Sequence, residues 1–160
     1  MKSNLRILVF LCICVLLVGC MPKSSAAINF YYLAQTDYNS PQGNIAPEHR
    51  KGNASPLAYE ELLNSYLSGP NSNNLINPFP TETKLISITL EQQTATVVLS
   101  DQIAELTGVE LTLACTCLSM TVKELTGCAN VQIRAQTKLL DNHQAISINT
   151  NSVQFFDSAE

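Results

Sequence analysis

Residues 84–100, KLISITLEQQTATVVLS, decide the fold of this chain. Apolar side chains alternate with Ser and Thr in both halves, which is the two-residue period of a half-buried strand. Lys84–Leu90 and Thr94–Leu99 are therefore predicted to form a β-hairpin, although the link Glu91-Gln92-Gln93 lacks the glycine that tight hairpin turns favour. One sheet face then packs on helices while the other faces water. The predicted apolar side comprises Ile86, Ile88, Leu90, Ala95, Val97 and Leu99.

A helix is predicted before the hairpin. Ser55 can cap it, Pro56 suits its first turn, and Gly69-Pro70 ends it. Spacings of three and four residues place its apolar side chains on one face, namely Tyr59, Leu62, Leu63, Tyr66 and Leu67.

A second, longer helix is predicted after the hairpin. Ser100 is a candidate cap for a short helical segment over Asp101–Gly108, and the longer helix covers about Glu110–Leu125. Thr126-Gly127 stops it, because glycine tolerates the left-handed conformation that closes a helix. Its apolar face comprises Leu111, Ala114, Cys115, Leu118, Val122 and Leu125.

The remaining chain supplies further strands and two long loops. Asp37–Asn53 and Asn71–Pro80 are polar and rich in turn residues, and both are predicted to be loops. The predicted strands are Ile28–Leu33, Asn130–Ala135, and, beyond Asp141-Asn142-His143, Ala145–Asn149 and Val153–Phe156. This β-α-β-β-α-β order with extra C-terminal strands predicts an α+β fold, in which a small mixed sheet is packed on one face by two helices.

The first residues carry a localisation signal. Lys2 and Arg6 precede an uncharged run, Ile7–Gly19, that suits a signal-peptide core and falls short of the roughly 20 residues of a spanning helix. Leu17-Val18-Gly19-Cys20 has the pattern of a lipobox, which predicts cleavage before Cys20 and lipidation of its sulfur. An ordinary secretory signal with an incidental cysteine and an uncleaved anchor are the alternatives.

These patterns divide the chain into three parts. Residues 1–19 are predicted to be a lipoprotein signal peptide, residues 20–27 the lipidated Cys20 and a tether, and residues 28–160 a single domain. Two or more acyl chains give stable attachment to a membrane. The expected location is the outer face of the bacterial cytoplasmic membrane, with the domain close to the lipid surface.

The charge of the mature chain excludes several partners. The sequence has nine Lys and Arg and 13 Asp and Glu, and Lys2 and Arg6 lie in the signal, so the mature net charge is near −6. Nucleic acid is therefore not an expected partner, since its binding rests on phosphate neutralisation. Attraction to anionic lipid is equally disfavoured, so the acyl chains must supply the anchoring. Tryptophan is absent, which disfavours an aromatic sugar-stacking groove.

No catalytic, cofactor or metal site is predicted. His49 and His143 fall in polar loops without a partner at ligand spacing, and Glu60 and Glu61 are neighbours that face apart on a helix. No nucleophile elbow, phosphate loop or zinc-protease motif occurs.

Three cysteines remain in the mature chain besides Cys20. Cys115 and Cys117 fall on one helix and point apart, and Cys128 lies beyond its end, out of disulfide reach. We expect no internal disulfide and no zinc site from this spacing. The favoured interpretation is that all three are small apolar side chains in or beside the core.

The order of motifs resembles the GerMN domain of sporulation and spore-germination proteins. Four segments similar to its patterns carry the resemblance: Leu62-Leu63 with Leu67-Ser68-Gly69-Pro70 (LL..L..GP), Pro80 with Thr83–Ile88 (P.GT.LL.V), Thr94–Ser100 (G.A.VDLS), and Met120–Leu125 with Val131-Gln132-Ile133 (TLTE.P.V..V.I.V.G). The similarity spans residues 57–137. Where the family pattern has glycine or aspartate, this chain departs at Glu82, Gln93, Val98 and Lys138-Leu139.

The resemblance implies an interaction module outside a membrane, with a fold like the ring-building modules of the sporulation channel and secretion systems. It implies no reaction. The leading hypothesis is therefore a lipid-anchored envelope protein that makes protein contacts or self-associates, with exposed sheet edges and the loops at Asp37–Asn53 and Asn71–Asn77 as candidate surfaces. The alternatives are a binding module for a cell-wall or small polar ligand and an envelope enzyme.

Overall fold

The computed structural model describes residues 27–35 and 45–152, and these form two β-sheets and two α-helices. The α+β class predicted from the sequence is confirmed. The strands divide between two sheets, however, whereas the sequence pattern pointed to one. The predicted signal peptide, Cys20, the tether up to residue 26 and the predicted strand Val153–Phe156 lie outside the described residues, whereas Ala27, assigned to the tether, begins a strand.

The smaller sheet is antiparallel and has the order β2-β1-β3. Its strands are β1 (Ala27–Ala34), β2 (Ile45–Lys51) and β3 (Leu75–Ile76). The prediction of a loop over Asp37–Asn53 was wrong for β2, which pairs with β1 along its whole length. The strand is not evident from its polar sequence because β2 lies at a sheet edge. An edge strand also tolerates a proline such as Pro47. The loop predicted over Asn71–Pro80 likewise contains β3.

The larger sheet is mixed and has the order β4-β5-β6-β7. β5 and β6 are parallel, and the other neighbours are antiparallel. The four strands are β4 (Leu85–Glu91), β5 (Thr94–Leu99), β6 (Asn130–Ala135) and β7 (Ile146–Asn149). The predicted hairpin is thus confirmed as β4 and β5.

One residue of the hairpin departs from the predicted pattern. The register shifts between Leu85 and Ser87, so Leu85 lies opposite the buried Leu99 and Ile86 is left out of the ladder. Ile86 was expected on the apolar side but is 46% exposed. The bulge shifts the alternation by one residue at that point.

The two helices begin differently from the predictions. α1 (Tyr59–Leu67) follows a 3-10 turn at Pro56–Ala58, and Ser55 makes no side-chain cap bond. Before α2 (Gly108–Thr126), Asp101–Glu105 forms a 3-10 turn, and the Ser100 hydroxyl instead accepts a bond from the Lys84 N–H at 2.9 Å.

The end of α2 agrees with the sequence. Gly127 has a left-handed φ of +73°, and its N–H donates to the Lys123 carbonyl at 2.7 Å. All six residues of the predicted apolar face are buried.

α2 packs against both sheets, which the sequence did not predict. Its predicted apolar face belongs to the same core cluster as the inward side chains of β5 and β6. A second stripe of the helix contacts β1, since Thr121 accepts a bond from the Tyr31 N–H and Glu124 from the Asn29 amide. The helix therefore joins the two sheets around one continuous core.

Candidate functional site

A polar network centred on Arg50 lies between β2 and the end of α1. Arg50 pairs with Glu48 at 2.6 Å and donates to the carbonyl oxygens of Ser65 (3.1 Å) and Gly69 (2.7 Å) and to the Tyr32 hydroxyl (3.1 Å). Its guanidinium also lies 4.9 Å from the centre of the Phe30 ring. These contacts hold the end of the helix on the small sheet.

The Glu48 carboxylate is fully engaged as well. Its second oxygen accepts the backbone N–H groups of Asn71 and Ser72 at 2.8 and 2.9 Å. Burial disfavours the charged carboxylate, but the bonds from Arg50 and from the two backbone groups outweigh it and lower the pKa of Glu48. The start of the predicted loop Asn71–Asn77 is thereby fixed to β2.

An aromatic cluster underlies this network. The Tyr66 ring packs against Phe30, Tyr32 and Phe79 with centroid distances of 4.9 to 5.5 Å. The Tyr32 hydroxyl donates to the Tyr66 carbonyl, and the Tyr66 hydroxyl donates to the Tyr31 carbonyl, both at 2.8 Å. Because each polar group already has a partner inside the domain, this network is suited to stability and leaves no free acid, base or nucleophile.

The cysteines are buried free thiols. Cys115 and Cys117 are fully buried, and Cys128 is 6% exposed. Burial raises the pKa of the Cys115 and Cys117 thiols to about 12. A thiol of that pKa is a poor nucleophile and a poor metal ligand at neutral pH. Their burial agrees with the prediction that they are small apolar side chains in or beside the core.

The histidines lie apart from one another. His49 was expected in a loop but lies on β2, where its Nδ1 is 2.6 Å from the Asn29 amide oxygen. His143 follows the turn residues Asp141 and Asn142, and both of these have positive φ. Among residues 27–35 and 45–152, no group of His, Cys, Asp and Glu side chains could hold a metal ion. Glu60 and Glu61 are exposed on the first turn of α1, as expected.

The outer edge of β4 is the first candidate binding surface. No described strand pairs with this edge. Ile86 and Leu90 are 46% and 43% exposed there, and the strand carries no proline or lysine. The other edges differ: β2 carries Pro47 and charged residues, β3 has two residues, and β7 has four residues whose two isoleucines are half-buried. α1 packs against β4, but an edge that has no strand partner and carries exposed apolar side chains is a template for pairing with another strand.

The outward face of the larger sheet is the second candidate surface. A concavity of about 400 Å³ opens on it near the start of β6. Its polar lining is uncharged, and the strand register places Asn130 between Thr94 and Asn149, and Gln132 beside Ser147. The alternation in the hairpin predicts a wetter face but not this concavity, because the polar lining comes from three separate strands.

Comparison with known proteins identifies the family. The family described as Germane, sporulation and spore germination, matches residues 29–141. The chain belongs to this family. None of the curated proteins compared with the chain matches it.

Two solved structures from Bacillus subtilis share the Germane fold. The tandem GerMN domains of the sporulation protein GerM align with a TM-score of 0.57 at 17% identity, over 75% of this chain and 42% of that one. The first GerMN domain of GerM gives the same TM-score at 14% identity, over 74% of this chain and 91% of that one. The chain thus spans less than half of the tandem structure, and at this identity the likeness shows the fold alone.

The backbone conformation bears on two departures from the GerMN sequence pattern, one at Glu82 and one in the hairpin turn. Glu82 replaces a customary glycine and has a left-handed φ of +67°. In the hairpin turn the left-handed residue is Gln92, at φ +53°, and not Gln93, the position assigned to the family's glycine. Both turns therefore place a residue with a side chain in the left-handed region, at some cost in strain.

No helix within residues 27–35 and 45–152 is both long and apolar enough to cross a membrane.

Proposed function

We propose that this chain is a lipoprotein held at the outer face of the bacterial cytoplasmic membrane by acyl chains on Cys20. Its Germane domain is non-catalytic and binds protein partners or further copies of itself, in sporulation, spore germination or assembly of the envelope. The lipobox Leu17–Cys20 and the family membership support this proposal. No cofactor, metal or nucleic acid takes part.

The open edge of β4 is the single observation that carries the proposal of protein contact. Leu90 points toward the core side of the sheet, opposite the buried Ala95, and yet is 43% exposed. An added strand would cover Leu90 and Ile86 and would satisfy the free backbone groups of β4. Burying apolar surface contributes about 25 cal/mol per Å², so two such side chains reinforce the backbone bonds.

Lysine substitutions at this edge test the contact. The mature chain with Cys20→Ser is compared with Leu90→Lys and with a matched control, Leu139→Lys, at an apolar side chain that is 51% exposed outside β4. We expect concentration-dependent association in sedimentation, lost with Leu90→Lys and kept with Leu139→Lys. A second copy is then the partner. If the parent protein is a monomer, the same two variants are used to capture envelope proteins from intact cells. Equal capture by both variants would contradict the proposed edge.

Metabolic labelling tests the anchor. Cells that express the full chain are fed alkyne-labelled palmitate, beside a Cys20→Ser control. We expect label and membrane association only with Cys20. A released, unlabelled parent protein would contradict the anchor while leaving the β4 contact to its own test.

A second candidate function is binding of a cell-wall or small polar ligand, which the uncharged concavity favours. Neutral amide and hydroxyl groups in an open cavity suit sugar hydroxyls. Titration with muropeptides, followed by amide NMR shifts, tests it. Shifts confined to Gln132, Ser147 and their neighbours, abolished by Gln132→Leu, would favour the ligand-binding role over protein contact.

A further inference from the structure

We propose that the end of the domain bearing Leu57 faces the lipid bilayer and that the Leu57 side chain inserts at its surface. This inference rests on the lipid anchoring proposed above and adds an orientation and a contact residue to it. Leu57 is 99% exposed, more than any other large apolar side chain of the described residues. It lies in the 3-10 turn Pro56–Ala58, just before α1.

The tether enters the domain at the same end. β1 begins at Ala27, which lies opposite Lys51, the last residue of β2. Five residues then connect Lys51 to Leu57. The N-terminus of β1, the C-terminus of β2 and the turn with Leu57 are therefore joined within a short length of chain.

The direction of α1 confirms that Leu57 belongs to this end. A Cβ at Gly52 would lie 2.6 Å from the Ile28 side chain and 3.5 Å from the Leu62 side chain, so Ile28 and Leu62 are close. Farther along both elements, the Tyr66 hydroxyl bonds to the Tyr31 carbonyl. α1 and β1 thus run in the same direction, and Leu57 lies before Leu62 on the side where β1 begins.

The tether keeps this end at the membrane. The seven residues Met21–Ala27 span at most about 25 Å when fully extended. Because this end is held close to the bilayer, the effective concentration of lipid around it is high. A contact that is too weak to bind lipid by itself is therefore populated. Leu57 is apolar, and Lys51 is an exposed basic residue on a long stem that reaches lipid headgroups, while Glu60 and Glu61 are exposed on the first turn of α1; the proposed contact is therefore apolar rather than electrostatic.

Val109 provides a matched comparison at the opposite end. α2 runs against β1, because Glu124 bonds to Asn29 while Thr121, earlier on the helix, bonds to Tyr31. Val109 precedes Thr121 by 12 residues, about 18 Å along the helix and away from the start of β1. It is 75% exposed, so it resembles Leu57 in exposure but not in position.

Single tryptophans report the contact without background, because the sequence contains none. The mature chain, beginning at Cys20, is prepared as Leu57→Trp and as Val109→Trp. Each is coupled through Cys20 to maleimide headgroups in vesicles of phosphatidylethanolamine and phosphatidylglycerol. The buried thiols of Cys115, Cys117 and Cys128 stay unreacted, and circular dichroism checks that both variants keep the fold.

We expect the Leu57→Trp emission to shift to the blue on coupling and to be quenched by brominated acyl chains, while Val109→Trp stays solvent-exposed. Equal emission from both variants, whether both are shielded or neither is, would overturn the orientation. Shielding of Leu57→Trp only by membranes that contain protein would also overturn it, in favour of a protein contact. Chemical coupling makes this result independent of lipidation in cells, so failure of the anchor and failure of the orientation remain distinguishable.

Discussion

The backbone N–H of Tyr31 donates to the side-chain hydroxyl of Thr121 at 3.0 Å, so a helix supplies the hydrogen-bond partner that a strand would otherwise provide. On its other side β1 pairs with β2, and β3 reaches only Leu33 and Ala34. The exposed edge that β1 would present is thereby covered by α2. This bond joins the small sheet to the helix that packs on the large one.

Thr121→Val tests the importance of this bond. The substitution keeps the shape of the side chain but leaves the Tyr31 N–H without a partner, which costs about 1–3 kcal/mol of unfolding free energy. Thr121→Ser restores the hydroxyl and most of the stability. The control is Thr116→Val, since the Thr116 hydroxyl bonds only within the helix, to the Thr112 carbonyl. Urea unfolding measures all three, and equal losses for Thr121→Val and Thr116→Val would contradict a special role for the bond.

Arg50→Met is expected to loosen the end of α1. Methionine keeps much of the apolar stem but removes the bonds to Glu48, Tyr32 and Gly69. The mostly buried carboxylate of Glu48 then has no cationic partner. The side chains of Arg50 and Glu48 are 14% and 10% exposed, so we expect a loss of about 3 kcal/mol, the lower end for a buried pair. Amide exchange should rise in Ser65–Gly69 before it rises in β5. Unchanged exchange there would contradict the role given to Arg50.

Acid should weaken the domain through Glu48. The folded pKa of Glu48 lies below its unfolded value, so the unfolded state binds the proton first as pH falls. The stability from this group is present above about pH 4.3, the unfolded pKa, and is lost as pH falls through the folded pKa. Glu48→Gln should therefore be less stable than the parent at pH 7, and the difference should shrink as pH falls through the folded pKa of Glu48. If the difference in unfolding free energy between Glu48→Gln and the parent stays constant with pH, this linkage is refuted. Glu61→Gln, at an exposed site, is the control.

Gln92→Gly should stabilise the hairpin. Gln92 has a left-handed φ of +53°, which costs a residue with a side chain about 1 kcal/mol relative to glycine. We expect a rise in Tm of about 4 °C. Its neighbour Gln93 has no positive φ. Gln93→Gly should therefore lower Tm, because glycine raises the conformational entropy of the unfolded chain. Equal effects of the two substitutions in calorimetry would show that turn strain is not the cause.

The three buried thiols should be unreactive in the folded protein. Burial raises the pKa of Cys115 and Cys117 to about 12, so little thiolate exists at pH 8. For the mature chain with Cys20→Ser, we expect no rapid reaction with a disulfide reagent in buffer, and three thiols after unfolding in guanidinium. Fewer than three in denaturant would reveal a disulfide between chains, and rapid reaction in buffer would contradict the burial.

The elements with strong apolar periodicity could be predicted from the sequence. The β4–β5 hairpin, α1, α2 and β6 lie close to their predicted positions, because their core side chains repeat with the period of a strand or a helix. β2 could not be predicted in this way. Its sequence, Ile45–Lys51, is mainly polar, since one edge and one face meet water or the Arg50 network, and it is a strand because β1 provides the pairing partner.

The second buried stripe of α2 also escaped prediction. In this stripe Thr121 is polar and suggests a solvated face when judged by hydropathy alone, whereas Cys117 is one of the small apolar side chains expected in or beside the core. Thr121 is buried because its hydroxyl meets a backbone group of β1, which only the packed structure reveals. For the same reason the sequence suggested open edges as binding surfaces but could not distinguish β4 from β2 or β7.

Site-specific crosslinking in cells tests the proposed protein contact at β4 most directly. A photoreactive amino acid is placed at Thr89, in the middle of the β4 edge, and at Leu139 as a control, in the full-length chain. We expect ultraviolet light to give a discrete crosslinked protein, either a second copy or another envelope protein, from position 89 alone. No crosslink at position 89, or the same products from both positions, would contradict the assignment of β4 as the contact surface.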